Sequence, residues 1–156
     1  MKIRIIVAGL LSLLLVACSE EPAANAVGDQ QASAAVRSWY RFDQVSAGAR
    51  VYQENCAACH GKLAEGADNW RKAGPDGKYP APPLNGSGHA WHHPLKILFH
   101  TIKNGSPGGQ GNMPAWAGKL TDDEIIAAIA WFQSKWPQEI YQSWVQRDAA
   151  AQANRG

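Results

Sequence analysis

Two cysteines and a histidine fall within five residues of this chain, in the run Cys56-Ala57-Ala58-Cys59-His60. No other short stretch restricts the fold as much. The chain has three cysteines in all, and the third, Cys18, lies far upstream. A structural zinc site would need two more ligands from elsewhere, and no second Cys pair exists. A thioredoxin-like dithiol needs a βαβ setting, and nothing near residue 56 alternates as a strand does. The reading that uses all three residues is attachment of a haem of the c type. Cys56 and Cys59 would form thioethers to it, and His60 would be an axial ligand to its iron.

A second axial ligand is then required for a low-spin iron. Beyond Met1 the chain has one methionine, Met113, set before Pro114 in the stretch Asn104–Pro114. A lone methionine is usually core filling. Met113 instead has polar and glycine neighbours, so it is the candidate sixth ligand, and its neutral thioether would raise the reduction potential. His100 sits on an apolar helix pattern, where a packed or half-exposed role is ordinary. His89, His92 and His93 form a cluster whose spacing is compatible with a copper or zinc site.

The remaining pattern is helical. Residues 46–56 read as a helix with Ser46 as N-cap. Residues 61–81 are punctuated by Gly and Pro and read as loop. Leu95, Leu98, Phe99 and Ile102 share one face of a short helix over 95–103, stopped at Asn104-Gly105. The glycines and prolines of 104–114 exclude a regular element there. Thr121 and Glu124 make a capping box for a helix over 121–136, with Asp122 and Asp123 at its positive end. Pro137 ends that helix and opens another to about residue 147, with Ile140, Trp144 and Val145 inward. No strand or internal repeat stands out. The fold class expected is all-α, a small helical domain wrapped around one covalent haem. The formal net charge of the chain is +2 with no basic run, which excludes a nucleic-acid partner.

The N-terminus carries a separate message. Lys2 and Arg4 precede an apolar run over 5–16 that is too short to span a bilayer. It ends in Leu15-Val16-Ala17-Cys18, which resembles the lipobox of bacterial lipoproteins. The resemblance implies cleavage before Cys18 and a lipid on Cys18. It implies export, with the domain facing the periplasm on a bacterial membrane. Ser19, where inner-membrane lipoproteins often have Asp, favours the outer membrane. The boundaries expected are a signal over 1–17, the lipidated Cys18 and a flexible tether over 18–38, a domain over 39–147, and a polar tail over 148–156.

The ordered set as a whole resembles a class I c-type cytochrome: a helix into CAACH, then PPLNG, a short helix, NMP in a Gly-rich loop, and a capped last helix. The likeness covers about residues 39–136. It implies haem c as the cofactor, held by Cys56, Cys59, His60 and Met113. It implies that the Pro82 carbonyl accepts the His60 ring N–H, that Leu84 packs on the haem, and that Gly48 and Tyr52 meet Trp131 where first and last helices cross. Three features depart from that pattern: the long loop between His60 and Pro82 with Trp70, the His cluster, and the helix after Pro137.

The function expected is single-electron transfer between periplasmic or membrane redox proteins, without a small-molecule substrate, and so a carrier rather than an enzyme. Lys62, Arg71, Lys72 and Lys78 are either a docking surface or ordinary solvated charge. Trp91 and Trp116 are either haem shields or core. The alternatives are a haem enzyme or sensor with a labile sixth ligand, and a cytochrome with a second metal at His89, His92 and His93.

Overall fold

The structure, a computed structural model, describes residues 38–154. The expected signal, Cys18 and the tether up to residue 37 lie outside the described residues. Five α-helices follow in order: α1 Phe42–Asn55, α2 Ala57–His60, α3 Leu95–Asn104, α4 Asp122–Gln133 and α5 Gln138–Ala153. Short 3₁₀ turns cover Ala90–His92 and Pro107–Gly109. Among the described residues there is no strand, only isolated bridges such as Tyr79 with Gly111. The all-α expectation holds.

Helix α4 begins where its sequence dictates. Thr121 Oγ1 accepts the Glu124 N–H at 3.2 Å, and Glu124 Oε2 accepts the Thr121 N–H at 2.8 Å. These bonds satisfy donors that the helix itself leaves free. Eight of its residues from Ile125 to Gln133 are buried, so α4 is the central post of the domain. Helix α1 crosses it at Gly48. A Cβ at Gly48 would lie 1.9 Å from the Ala127 carbonyl oxygen, so only glycine permits this approach. One turn on, the Tyr52 and Trp131 rings meet at 4.1 Å between centroids, as the resemblance implied. Such pairs add about 0.5–1.5 kcal/mol beyond the area they bury.

Three helix limits and one short turn differ from expectation. Helix α1 starts at Phe42, not Ser46, because the Arg41 N–H is capped by Gln44 Oε1 at 2.9 Å. Ser46 is exposed within the helix. Helix α4 stops at Gln133, three residues early, and Trp136 is buried from the turn that follows. The 104–114 stretch contains the 3₁₀ turn Pro107–Gly109. Helix α5 runs to Ala153, so the expected polar tail is helical to that residue. The reason is Asp148, which is buried on α5 and accepts the Leu95 N–H at the start of α3 at 2.8 Å.

Buried tryptophans seek partners for their indole N–H groups. Trp136 Nε1 donates to the Leu84 carbonyl at 2.7 Å, and Trp144 Nε1 donates to the His93 carbonyl at 2.9 Å. Trp39 Nε1 donates to Gln133 Oε1 at 2.7 Å, while the Trp39 N–H reaches the Tyr141 hydroxyl at 3.2 Å. The helical frame thereby staples the loops that bear the site.

Candidate haem site

Helix α2 presents Cys56, its N-cap, and Cys59 one turn apart, and turns His60 inward, where only 7% of it is exposed. No disulfide joins Cys56 to Cys59. Burial pushes the Cys56 thiol up to about 11.

His60 Nδ1 lies 2.8 Å from the Pro82 carbonyl oxygen. A carbonyl can only accept, so Nδ1 carries the proton and Nε2 keeps its lone pair. Burial lowers the His60 pKa, against the raising effect of the Pro82 carbonyl. The Pro82 carbonyl is itself fixed by the loop that follows His60. The Ala64 carbonyl accepts the Leu84 and Asn85 N–H groups at 2.8 and 3.1 Å, and the Ala67 N–H donates to the Ala81 carbonyl at 2.9 Å. Gly66, at φ +72°, would place a Cβ 2.4 Å from the Pro83 nitrogen, so the two backbones touch. Leu84 packs on the hydrophobic core.

Met113 is half-buried on the loop after α3. Its N–H donates to Ser106 Oγ, and its carbonyl accepts the Ser106 N–H, both at 3.1 Å. Gly105, at φ +84°, passes so close that a Cβ would lie 2.9 Å from the Met113 carbonyl oxygen. Among the described residues no hydrogen bond joins Met113 to His60 or Pro82; the structure brings His60 and Pro82 together and holds Met113 through Ser106. Sequence reasoning missed Ser106, Ala64 and the bond from Trp136 to Leu84. Ser106 follows the helix-stopping Asn104-Gly105 and precedes Pro107, which is a usable signal; Ala64 leaves none.

The alternative of a second metal at His89, His92 and His93 gains no support. Among the described residues no group of three or more His, Cys, Asp or Glu is arranged to hold a metal ion. The His89 ring stacks on Trp70 and meets the His93 ring edge-on, both at 5.5 Å between centroids, and the His92 ring lies 3.8 Å from Trp91. His100 is exposed and pairs with Asn104. Lys119 lies over Trp116, and Arg147 over Trp91, at 5.6 and 5.7 Å from the ring centroids.

A neutral, oriented imidazole beside two unpaired thiols one helical turn apart is a donor set that fits a c-type haem. A family model described as cytochrome c oxidase, cbb3-type, subunit III, matches residues 43–132. The chain belongs to this family of c-type cytochromes. Its cofactor is one covalently bound haem c, and its class is that of an electron-transfer cytochrome. The chain is similar to the cbb3-type oxidase subunit CcoP of Azospirillum sp. strain B510, with 42% identity over 87 residues, covering 56% of this chain and 27% of that protein. It is 29% identical to cytochrome c-551 of Bacillus subtilis over 135 residues, covering 86% of this chain and 96% of the relative. It is 31% identical to cytochrome c6 of Tetradesmus obliquus over 86 residues, covering 54% and 82%. The chain spans about a quarter of the length of the CcoP relatives it matches.

Proposed function

We propose that this cytochrome is a one-electron carrier whose iron is closed on both faces, by His60 and by Met113. The observation that carries the reading is the 2.8 Å contact from His60 Nδ1 to the Pro82 carbonyl, which leaves Nε2 as the free donor of a buried ring. Bound haem supplies a reversible Fe(II)/Fe(III) couple. Cys56 and Cys59 anchor it covalently, and Pro82 fixes the plane and basicity of the His60 imidazole. Leu84, half-buried against the core, would pack on the haem. Met113 contributes a soft neutral donor, which favours the ferrous state. With His60 and Met113 both as its ligands, bound haem would offer no position to a substrate, and the chain would act as a carrier rather than an enzyme.

Its partners in this reading are redox proteins. The oxidase named in the CcoP relatives makes a membrane oxidoreductase the first class to test. The lipobox-like Leu15–Cys18 run supports export and a lipid on Cys18, which would hold the domain at a membrane facing the periplasm. Among the described residues no helix is long and apolar enough to cross a membrane.

The test is an absorption spectrum of the holoprotein, oxidised and dithionite-reduced, beside Met113→Ala under carbon monoxide. The expected result is a low-spin wild type with the weak iron–methionine charge-transfer band, and carbon monoxide binding in the variant alone. A high-spin wild type that binds carbon monoxide readily would instead describe an open haem, as in an enzyme or a gas sensor.

A further inference from the structure

The loop between His60 and Pro82 is longer than the c-type pattern, and electron transfer by itself gives it no task. Its distal part folds into a closed turn. The Gly74 N–H donates to the Lys78 carbonyl at 2.8 Å, and the Gly77 N–H to the Gly74 carbonyl at 3.0 Å. Asp76 Oδ1 accepts the Lys78 N–H at 3.1 Å, which fixes the carboxylate at the tip.

This turn reaches the methionine loop at three consecutive residues. The Tyr79 N–H donates to the Gln110 carbonyl at 2.9 Å. Tyr79 pairs with Gly111 in a parallel bridge. Asp76 Oδ2 accepts the Asn112 Nδ2–H at 3.1 Å. Gly111 is wedged between the two sides: a Cβ there would lie 2.8 Å from Ser106 Oγ and 3.6 Å from the Tyr79 carbonyl oxygen. Ser106 Oγ is the group that accepts the Met113 N–H. The 74–79 turn therefore holds Gln110 and Asn112 by hydrogen bonds and lies along Gly111 between them, and Ser106 holds Met113.

We propose that the Gly74–Tyr79 turn is a clamp that positions Met113, with Asp76 and Tyr79 as positioning residues. The inference rests on the reading of Met113 as the sixth ligand. A loop with Gly105, Gly108, Gly109 and Gly111 gains much conformational freedom when it opens. Its residence on the iron then depends on how many ties must break together. Asp76 acts at a distance: it touches Asn112, not the ligand, and its bond to Asn112 is the first cause of its lowered pKa. The clamp also accounts for the length of the loop, since a shorter connection from His60 to Pro82 would not extend to residue 112.

Carbon monoxide reads the open population, because it binds ferrous iron only where the thioether has left. The experiment compares wild type, Asp76→Ala, Asn112→Ala, the double variant and Met113→Ala as reduced holoproteins, with the iron–methionine band and the helical circular dichroism recorded for each. Asp76→Ala and Asn112→Ala are each expected to bind carbon monoxide roughly three- to tenfold faster than wild type, the range set by losing one hydrogen bond. The double variant is expected to match the single ones, since all three lack the same bond. The helical signal stays at the wild-type level, because Asp76 and Asn112 are exposed and outside the helices. If Asp76→Ala binds at the wild-type rate while Met113→Ala binds fast, the clamp is wrong and the axial reading stands. If the effects of the two single variants multiply, their shared bond is not the cause and the clamp is wrong in that form. If wild type binds as fast as Met113→Ala, the axial reading fails and takes the clamp with it.

Discussion

Asp148, near the end of α5, accepts the backbone N–H of Leu95 at the start of α3, 53 residues away in the chain, at 2.8 Å. The bond caps a helix from a distance. Proline occupies the N-cap position of α3 and offers no side-chain oxygen, so the carboxylate is imported from another helix. Asp148→Ala leaves a half-buried N–H without a partner, which costs about 1–3 kcal/mol. Asp148→Asn keeps an oxygen in place and is expected to recover most of that loss. Denaturant unfolding of the two holoproteins measures the difference; equal stability of alanine and wild type would show that α3 needs no such cap.

Gly48→Ala sets two effects against each other. Alanine in a helix interior is favoured over glycine by about 1 kcal/mol. The new Cβ would sit 1.9 Å from the Ala127 carbonyl, a backbone atom that cannot swing aside. Forced separation of packed elements costs about 1–3 kcal/mol or more, so the clash wins and the variant is less stable. It also pulls Tyr52 off Trp131, and near-ultraviolet circular dichroism is expected to weaken along with the thermal midpoint. A rise in the midpoint would mean that α1 and α4 do not cross here.

His89 and His93 have lowered pKa values, first from burial and then from neighbouring positive groups: His92 and Arg71 act on His89, and His89, His92 and Arg147 act on His93. The folded state therefore binds fewer protons than the unfolded chain below the ordinary value of 6.5. Stability rises with pH through the window between the lowered folded values and 6.5, and is lost as the solution is acidified through it. An NMR titration is expected to place both imidazoles below 6.5, and values at or above it would remove the effect.

Glu124 acts with the same sign at a lower pH. The Thr121 N–H, and then its hydroxyl, hold the Glu124 carboxylate below its ordinary 4.5. The contribution is present above 4.5 and disappears as pH falls through the lower folded value. Glu124→Gln is expected to flatten the acid limb of the thermal midpoint below the ordinary carboxylate value of 4.5 relative to wild type. Thr121→Ala, which removes the cap itself, is expected to cost about 1 kcal/mol at neutral pH.

What could be read from the sequence was local. Thr121 and Glu124 are three residues apart, Gly105 adjoins the helix it stops, and the Cys56–His60 run is five residues long; in each the partners are near neighbours, so spacing alone identifies them. The Pro82 contact was legible only through a family resemblance, because 22 residues separate it from His60. The start of α1 was misplaced because Arg41 uses Gln44 as its capping partner, a pair without a strong preference. The end of α5 was misplaced because Asp148 looks polar and exposed in sequence, and only its distant bond to Leu95 explains its burial. The ties from Asp76 and Tyr79 to residues 110–112 span more than thirty positions, and no periodicity encodes them.

The staple at Trp39 has a mechanical consequence. The chain enters the domain there, gripped by Gln133 through the indole and by Tyr141 through the backbone, with Tyr40 edge-on to Tyr141 at 5.9 Å. A pull on the chain ahead of Ser38 is borne by this joint before it reaches α1. Load passes into α4 and α5, and the Cys56–His60 turn is shielded from a pull applied ahead of Ser38. In a force-extension experiment the Trp39 joint would be the first to yield, as a small early step ahead of the main rupture.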